Sequence, residues 1–291
     1  NEITIIDNLY RGKIDKNFKK FYRSRKIKFI KKDLVENFNF KNNYDYIFHL
    51  AAIVGVSNVK KQPIKTFKAN LISTIKLIDA FNVKKKKPVF IFFSTSEIYQ
   101  PLVDKKKLNF PTTENQNFIY PRKFNPRQSY YLSKFFSEII LKLSGLKYII
   151  YRPHNIYGPR MGYSHVIPEL FLKFKSNKKK IDVFSPNHKR AFCYVDDAIN
   201  LILNTCFNKK ALNSVFNIGN MRQETKIIDL AKKIKKILNS NKEIILKENT
   251  QGSPSRRLPN ISKIQKISKF KNFTTLQDGL KRTLKWYEEN Y

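Results

Sequence analysis

The sequence predicts an α/β fold: a doubly wound parallel sheet followed by a smaller, more irregular α/β part. Three observations predict it. Short apolar runs rich in β-branched and aromatic residues alternate with helical patterns through the first half. Those runs end in Asp7-Asn8, Asp33-Leu34, Leu50-Ala51-Ala52 and Ser94-Thr95-Ser96-Glu97. Parallel-sheet enzymes keep their sites at that edge. One helical stretch, Pro126 to Leu143, carries Tyr130 and Lys134 four residues apart, so both side chains leave one face.

In chain order, residues 2–7 (EITIID) read as a short buried strand with an acid at its C-terminal end. In a dinucleotide-binding fold, an acid there hydrogen-bonds the adenosine ribose and favours NAD over NADP. An Asp after a strand is also a common turn former. Residues 13–25 form a basic, helical connector, and Ile27 to Val35 is the next strand. Tyr44 to Ala52 is a third strand, whose small Ala51 and Ala52 either admit a flat cofactor or simply pack. A helix over Pro63 to Phe81 carries Asn70. Pro88 to Tyr99 is a β-rich run whose Ser94-Thr95-Ser96-Glu97 end suits a site and also reads as a helix cap. Residues 100–125 are expected to be a long loop.

The central helix follows, with Phe135, Ile139, Ile140 and Leu143 at helical spacing. An ammonium near a phenol lowers a pKa that starts near ~10, so Lys134 is expected to make Tyr130 a usable base or acid. A second match to the same spacing, Tyr22–Lys26, lies in a charged segment and marks a solvated face. Lys147 to Gly162 is a strand running into a loop with Pro, Asn, Gly and Arg. Beyond it come a helix over His165 to Lys175, a strand and turn with Arg190, and a helix beginning near Asp196-Asp197. Then follow a short strand over Val215 to Asn220 and an amphipathic helix over Thr225 to Leu238. A basic loop over Ser253 to Lys263 and a C-terminal helix from Leu276 to Tyr287 complete the chain.

At 291 residues, 41% hydrophobic and 14% aromatic, the chain can bury a sizeable core and is not a disordered tail. No apolar run is long enough for a bilayer, and the start lacks a signal-peptide pattern. Two cysteines, Cys193 and Cys206, form no disulfide framework, which fits a reducing cytoplasm. The net charge of +36 invites a nucleic-acid reading. Its lysines are spread along the whole chain, however, and no zinc-finger or RNA-binding signature accompanies them. A lysine-coated surface that draws anionic substrates is the simpler account.

FFSTSEIY, SYYLSK, RPHNIYGPRM, KRAFCYVDDA, NIGN and SRRLPNISK occur in the order seen in the extended short-chain dehydrogenase/reductases. The chain resembles the NAD-dependent nucleotide-sugar epimerases, dehydratases and decarboxylases of that family over nearly its whole length. The resemblance implies a Rossmann-like fold, with residues 1–160 binding NAD and residues 161–291, interleaved with them, mainly binding the nucleotide sugar. It implies that Tyr130 takes the proton of a sugar hydroxyl, that Lys134 holds the nicotinamide ribose, and that Thr95 bonds the reacting oxygen. Asp7 and Asn8 would hold the adenosine ribose, and Asp33 and Leu34 the adenine. Leu50, Ala51, Ala52, Asn70, Ser94, Pro153 and His154 would line the rest of the cofactor. Ser96, Asn155, Arg190 and one of Arg256 or Arg257 would bind the substrate, guanidinium forks matching its diphosphate. No metal is implied, and nucleic acid and membrane are not expected partners.

The implied chemistry is a transient oxidation at C4 of a UDP-sugar by NAD. The expected reaction is 4-epimerisation, in a cytoplasmic homodimer built through the Asn70 and Tyr130 helices, serving polysaccharide precursor synthesis. Glu97 supports the rival readings, 4,6-dehydration or uronate decarboxylation. A non-catalytic nucleotide-sugar binding protein is the reading of another class. Three departures from the family pattern stand out. The first strand and its G-x-x-G-x-x-G loop are absent, so an N-terminally incomplete sequence is expected. Gln100 replaces the Gly after STSEIY, and Asn260 replaces the Asp after Pro259.

Overall fold

The structure, a computed structural model, describes residues 1–40, 42–120, 124–250 and 252–290. Strand β1 (Ile3–Asp7) and strand β2 (Ile27–Lys31) pair in parallel, Ile5 opposite Phe29. Helix α1 (Lys16–Tyr22) joins them; Asp15 caps it by accepting from the Phe18 amide at 2.8 Å. Phe18 and Tyr22 set their rings edge-on to Phe29. β2 stops four residues short of its expected end, because Asp33 turns the chain by accepting from the Val35 amide.

Strand β3 (Tyr46–His49) is likewise shorter than expected, leaving Leu50, Ala51 and Ala52 beyond its C-terminal edge. Helix α2 (Val56–Lys61) precedes helix α3 (Pro63–Asn82), which opens on a proline whose missing N–H costs nothing there. Strand β4 (Val89–Phe93) leads into a 3-10 turn, Ser96–Tyr99, and helix α4 (Gln100–Asp104). The stretch expected to be a long loop thus begins helically, and Thr95 caps the 3-10 turn before it, accepting from the Glu97 amide at 3.1 Å. Helix α5 (Gln128–Leu143) begins two residues after Pro126. Strands β5 (Tyr148–Pro153) and β6 (Ile156–Tyr157) follow it.

The later part runs through helix α6 (Val166–Lys175), strands β7 (Lys180–Val183), β8 (Lys189–Ala191) and β9 (Cys193–Tyr194), and helix α7 (Val195–Cys206). Strands β10 (Ser214–Ile218) and β11 (Glu224–Lys226) lead to helix α8 (Ile227–Ile237) and strand β12 (Glu243–Leu246). Strand β13 (Arg256–Arg257) and helices α9 (Ser262–Ser268) and α10 (Leu276–Asn290) end it.

The central sheet has the order β10-β5-β4-β3, all parallel. Its strands are buried on both faces, which is why they read as continuous apolar runs. Alternate residues serve opposite layers. Phe90, Phe92 and Ile150 pack with Leu77, Ile78 and Phe81 of α3 and Leu141 of α5. Ile91, Ile149 and Tyr151 pack with Ala198 and Leu201 of α7 and Ile264 of α9. This is the doubly wound arrangement. A second core joins α6, β7, α8 and α10 around Phe171, Leu230, Ile234, Leu280 and Leu284. Gly279 allows α10 its close approach: a Cβ there would lie 2.0 Å from the Tyr157 hydroxyl oxygen. Among the described residues no helix is long and apolar enough to cross a membrane.

Candidate active site

Strands β1 to β5 carry expected site residues at or just beyond their C-terminal ends, and those after β4 meet the start of α5. Tyr130 and Lys134 lie one helical turn apart there. Lys134 is buried; its Nζ donates to the Phe93 carbonyl at 2.8 Å and sits 4.7 Å above the Phe92 ring. Burial pushes its pKa down to about 7, against a smaller upward pull from Glu138. Tyr130 is half-buried. Its phenol is pushed above its ordinary range, first by burial and then by the negative charge of Glu97. The Thr95 hydroxyl, within hydrogen-bonding reach, and the Arg257 and Arg11 guanidiniums pull it back only in part.

This corrects the expectation that Lys134 lowers the Tyr130 pKa. The Lys134 amine is turned to a strand carbonyl, and burial brings its pKa down to about 7, which weakens its charge at neutral pH. In this structure the phenol is protonated at neutral pH.

Thr95 and Ser96 are buried beside Tyr130, and Glu97 follows them. Burial alone would raise the Glu97 pKa, but Arg257 and Arg127 more than offset it, and the carboxylate stays ionised. One oxygen, Oε1, accepts from Arg257 Nη2 at 3.3 Å and from Arg127 Nη2 at 3.4 Å. β13 decides which of the paired arginines faces the site, because successive strand side chains point to opposite sides. Arg257 meets Glu97. Arg256, also expected as a substrate ligand, turns away: it forks onto Glu224 at 2.6 and 2.9 Å and stacks over Phe110.

Arg190 lies beside Arg257 in the β8–β13 register. It donates to the Lys189 and Pro254 carbonyls at 2.8 and 2.6 Å and to Ser253 Oγ at 3.1 Å. Burial, then Arg257 and Arg127, push its pKa down to about 9, with Glu97 opposing. Among the described residues no carboxylate pairs with it directly. A buried guanidinium without its own anion is an anion site in chemical terms.

At the sheet edge Asp7 accepts from the Leu9 amide at 2.6 Å, the turn-forming role, and its side chain remains exposed. Asn8 donates to Asp33 at 2.9 Å, so these three polar residues form one cluster. Leu34 packs toward the α3 core. Leu50 and Ala51 are exposed. Ser94 Oγ and His154 Nδ1 are buried without a hydrogen-bond partner. His154 Nε2 contacts Asn217 at 3.2 Å, and burial drops the His154 pKa to about 3, so the ring is neutral. Pro153 ends β5. Gly219 lets the NIGN turn close here; a Cβ would lie 2.7 Å from Pro259 Cγ.

Two expected ligands are occupied by the protein itself. The Asn70 amide grips Ile53 through N at 2.7 Å and O at 3.3 Å, and reaches Ser133 Oγ at 3.2 Å. It fastens the chain after β3 to α3 and α5. Asn155, held at φ +43°, donates to the Ala191 carbonyl at 3.3 Å and ties β5 to β8.

Sequence reasoning missed Arg127, Arg11 and a buried network behind Tyr99. In that network Arg152 forks onto Glu138 at 3.0 and 2.6 Å and donates to the Tyr99 hydroxyl at 2.8 Å and the Glu114 carbonyl at 3.0 Å. Arg127 had a signal. A cation at the start of a helix opposes the helix dipole, so its place just before α5 breaks a local rule.

The residues fit a dinucleotide. A row of parallel strand ends offers exposed small residues, a polar cluster at β1 and β2, and two buried polar atoms that lack partners. No cluster of metal ligands occurs among the described residues.

The NAD dependent epimerase/dehydratase family matches residues 1–219. The chain is 29% identical to a UDP-N-acetyl-alpha-D-glucosaminuronate decarboxylase of Bacillus cytotoxicus, covering 99% of this chain and 90% of that protein. It is 27% identical to UDP-glucuronic acid decarboxylase 1 of Xenopus tropicalis, covering 99% of this chain and 67% of that one. In fold it matches the UDP-glucuronic acid 4-epimerase of Bacillus cereus, solved with UDP-glucuronic acid and NAD. The TM-score is 0.83 over 100% of this chain and 92% of that one, at 22% identity. Matched by the family over residues 1–219, the chain belongs to the NAD-dependent epimerase/dehydratase family of enzymes, whose cofactor is NAD.

Proposed function

We propose that this enzyme decarboxylates a UDP-hexuronate after oxidation at C4. The observation that carries the reading is the charge around Tyr130. Arg11, Arg127, Arg190 and Arg257 act on this site against one carboxylate, Glu97. That excess of positive charge suits a ligand with about two negative charges on its diphosphate and one on its sugar acid. For 4,6-dehydration an ionised Glu97 could serve as the base at C5, but the leaving hydroxyl would also need an acid, a role this carboxylate does not fill. Two guanidiniums keep this carboxylate ionised.

Bound NAD would supply the two-electron oxidation and later reduction at C4. Tyr130, once its phenol has given up its own proton to solvent, takes and returns the proton of the C4 hydroxyl, with Thr95 bonding the same oxygen. The 4-keto group places the C5 carboxylate β to a carbonyl. As CO2 leaves, its bonding pair moves toward O4, where the Thr95 hydroxyl and the Tyr130 phenol stabilise the charge. C5 then takes a proton. Arg190 and Arg257 hold the diphosphate, and Lys134 keeps the α5 start against β4. Asp7, Asn8 and Asp33 receive the adenosine end of the cofactor.

Epimerisation at C4, the expectation from sequence, is the second reading. Glu97 already balances part of the arginine charge, so a neutral sugar also fits. Exposed Ile64 of α3 and Phe136 and Leu143 of α5 support a homodimer through those helices.

Mass spectrometry of products from UDP-glucuronate with NAD tests the reading, with Tyr130→Phe as the inactive control. Loss of CO2 to a UDP-pentose is expected. Product of unchanged mass with inverted C4 would replace it with epimerisation.

A further inference from the structure

Arg127 has no assigned role, yet three contacts single it out. Its Nη2 meets Glu97 Oε1 at 3.4 Å, the oxygen that Arg257 also meets, at 3.3 Å. Both distances exceed the 2.7–2.9 Å of a strong charge-assisted bond. Its Nη1 donates to the Gly252 carbonyl at 2.8 Å. Gly252 stands next to Ser253 and Pro254, which hold Arg190. Arg127 thus joins the start of α5, the site carboxylate and the loop that seats a substrate arginine.

Its position adds a demand. Arg127 precedes α5 directly, where the helix dipole repels a cation. The guanidinium needs an anion in front of it, and Glu97 supplies only half of one oxygen's attention. A second carboxylate entering beside Tyr130 would meet an arginine already aimed and incompletely satisfied.

We infer that Arg127 is a specificity-determining residue: it binds the carboxylate of a uronate sugar, taking that group in exchange for Glu97. The inference rests on the decarboxylase reading and names the residue that selects the acid. The Arg127–Gly252 bond keeps the guanidinium aimed during the exchange. Glu97, released, stays paired with Arg257.

The test is equilibrium binding of UDP-glucuronate, UDP-glucose and UDP to the NAD-loaded protein, read by calorimetry. In the wild type the uronate is expected to bind more tightly than the neutral sugar. Arg127→Gln should cut uronate affinity at least about tenfold, the size of one charge-assisted hydrogen bond, and leave UDP and UDP-glucose within about twofold. Glu97→Gln removes the internal competitor and should raise the uronate preference. In the double variant Arg127→Gln/Glu97→Gln that rise should vanish; a rise that persists comes from charge removal alone and overturns the inference.

Equal weakening of all three ligands in Arg127→Gln would overturn the inference, because it marks a loop support. So would an unchanged preference. If Arg127→Gln does not fold, Arg127→Lys takes its place: a uronate affinity reduced more than that of UDP supports the inference, and an unchanged one overturns it. A wild type that binds both sugars equally overturns this inference together with the decarboxylase reading. A wild-type preference that survives in Arg127→Gln overturns this inference only.

Discussion

Two arginine–glutamate clusters stand close together in the site wall and are built differently. Arg152 grips both oxygens of Glu138, at 3.0 and 2.6 Å, with side chains 8% and 1% exposed. Glu97 offers a single oxygen to Arg127 and Arg257, at 3.4 and 3.3 Å, and is 18% exposed. The first is a fully satisfied pair with further bonds to Tyr99 and the Glu114 carbonyl. The second is underbonded and open at one side. A buried ion pair keeps its place only when every donor and acceptor is matched. An underbonded one is free to exchange partners, as a ligand site requires. The difference separates scaffold from site more sharply than residue type does.

Breaking the scaffold pair should have the largest effect. Arg152→Met leaves Glu138 buried and uncompensated, and is expected to cost about 3–5 kcal/mol in urea unfolding. A loss below about 1 kcal/mol would erase the distinction between the two clusters.

A smaller effect is expected on the site side. Arg190→Met removes a buried cation that already lacks a direct carboxylate partner. Its stability cost should stay within about 1–2 kcal/mol, mostly from carbonyls left without a donor. UDP affinity should nevertheless fall at least about tenfold. A cost matching that of Arg152→Met would show Arg190 to be scaffold as well.

Beside these losses, burial of Lys134 sets a pH slope. Its folded pKa, about 7, lies below its ordinary value of 10.5 because of burial. Between those values the unfolded chain holds a proton that the folded chain lacks. Stability should therefore rise with pH through that window, by less than about 1.4 kcal/mol per unit. Below pH 7 the burial penalty is fully present. Comparing wild type with Lys134→Met across pH 7 to 10 checks this: the wild-type slope should exceed that of the variant. Equal slopes would mean that Lys134 stays charged in the folded protein.

Much of the scaffold was readable because it rests on local pattern. Continuous apolar runs at 46–49, 89–93 and 148–153 became the buried parallel strands. Helical spacing placed α3, α5 and α8. Ends were harder. The turn made by Asp33 shortened β2, and the Thr95 cap wound the end of an expected strand run into a 3-10 turn, because a side-chain bond to a nearby amide decides such places. Tyr130, Lys134, Thr95 and Glu97 were legible as a set through motif order.

By itself the sequence determined the doubly wound architecture, the family and the residue types at the strand ends. The architecture follows from periodicity, a property of neighbouring residues, and the family from the resemblance that six motifs carry in their order. The tertiary structure alone decided which arginine faces the site and that Asn70 is a clamp. It alone brought Arg127 to Glu97, across 30 positions of chain, and turned Lys134 toward Phe93 instead of tuning Tyr130. Burial and long-range charge set the protonation of Tyr130, Lys134 and Glu97. Both depend on what packs around a group, and that is written in no short stretch of sequence.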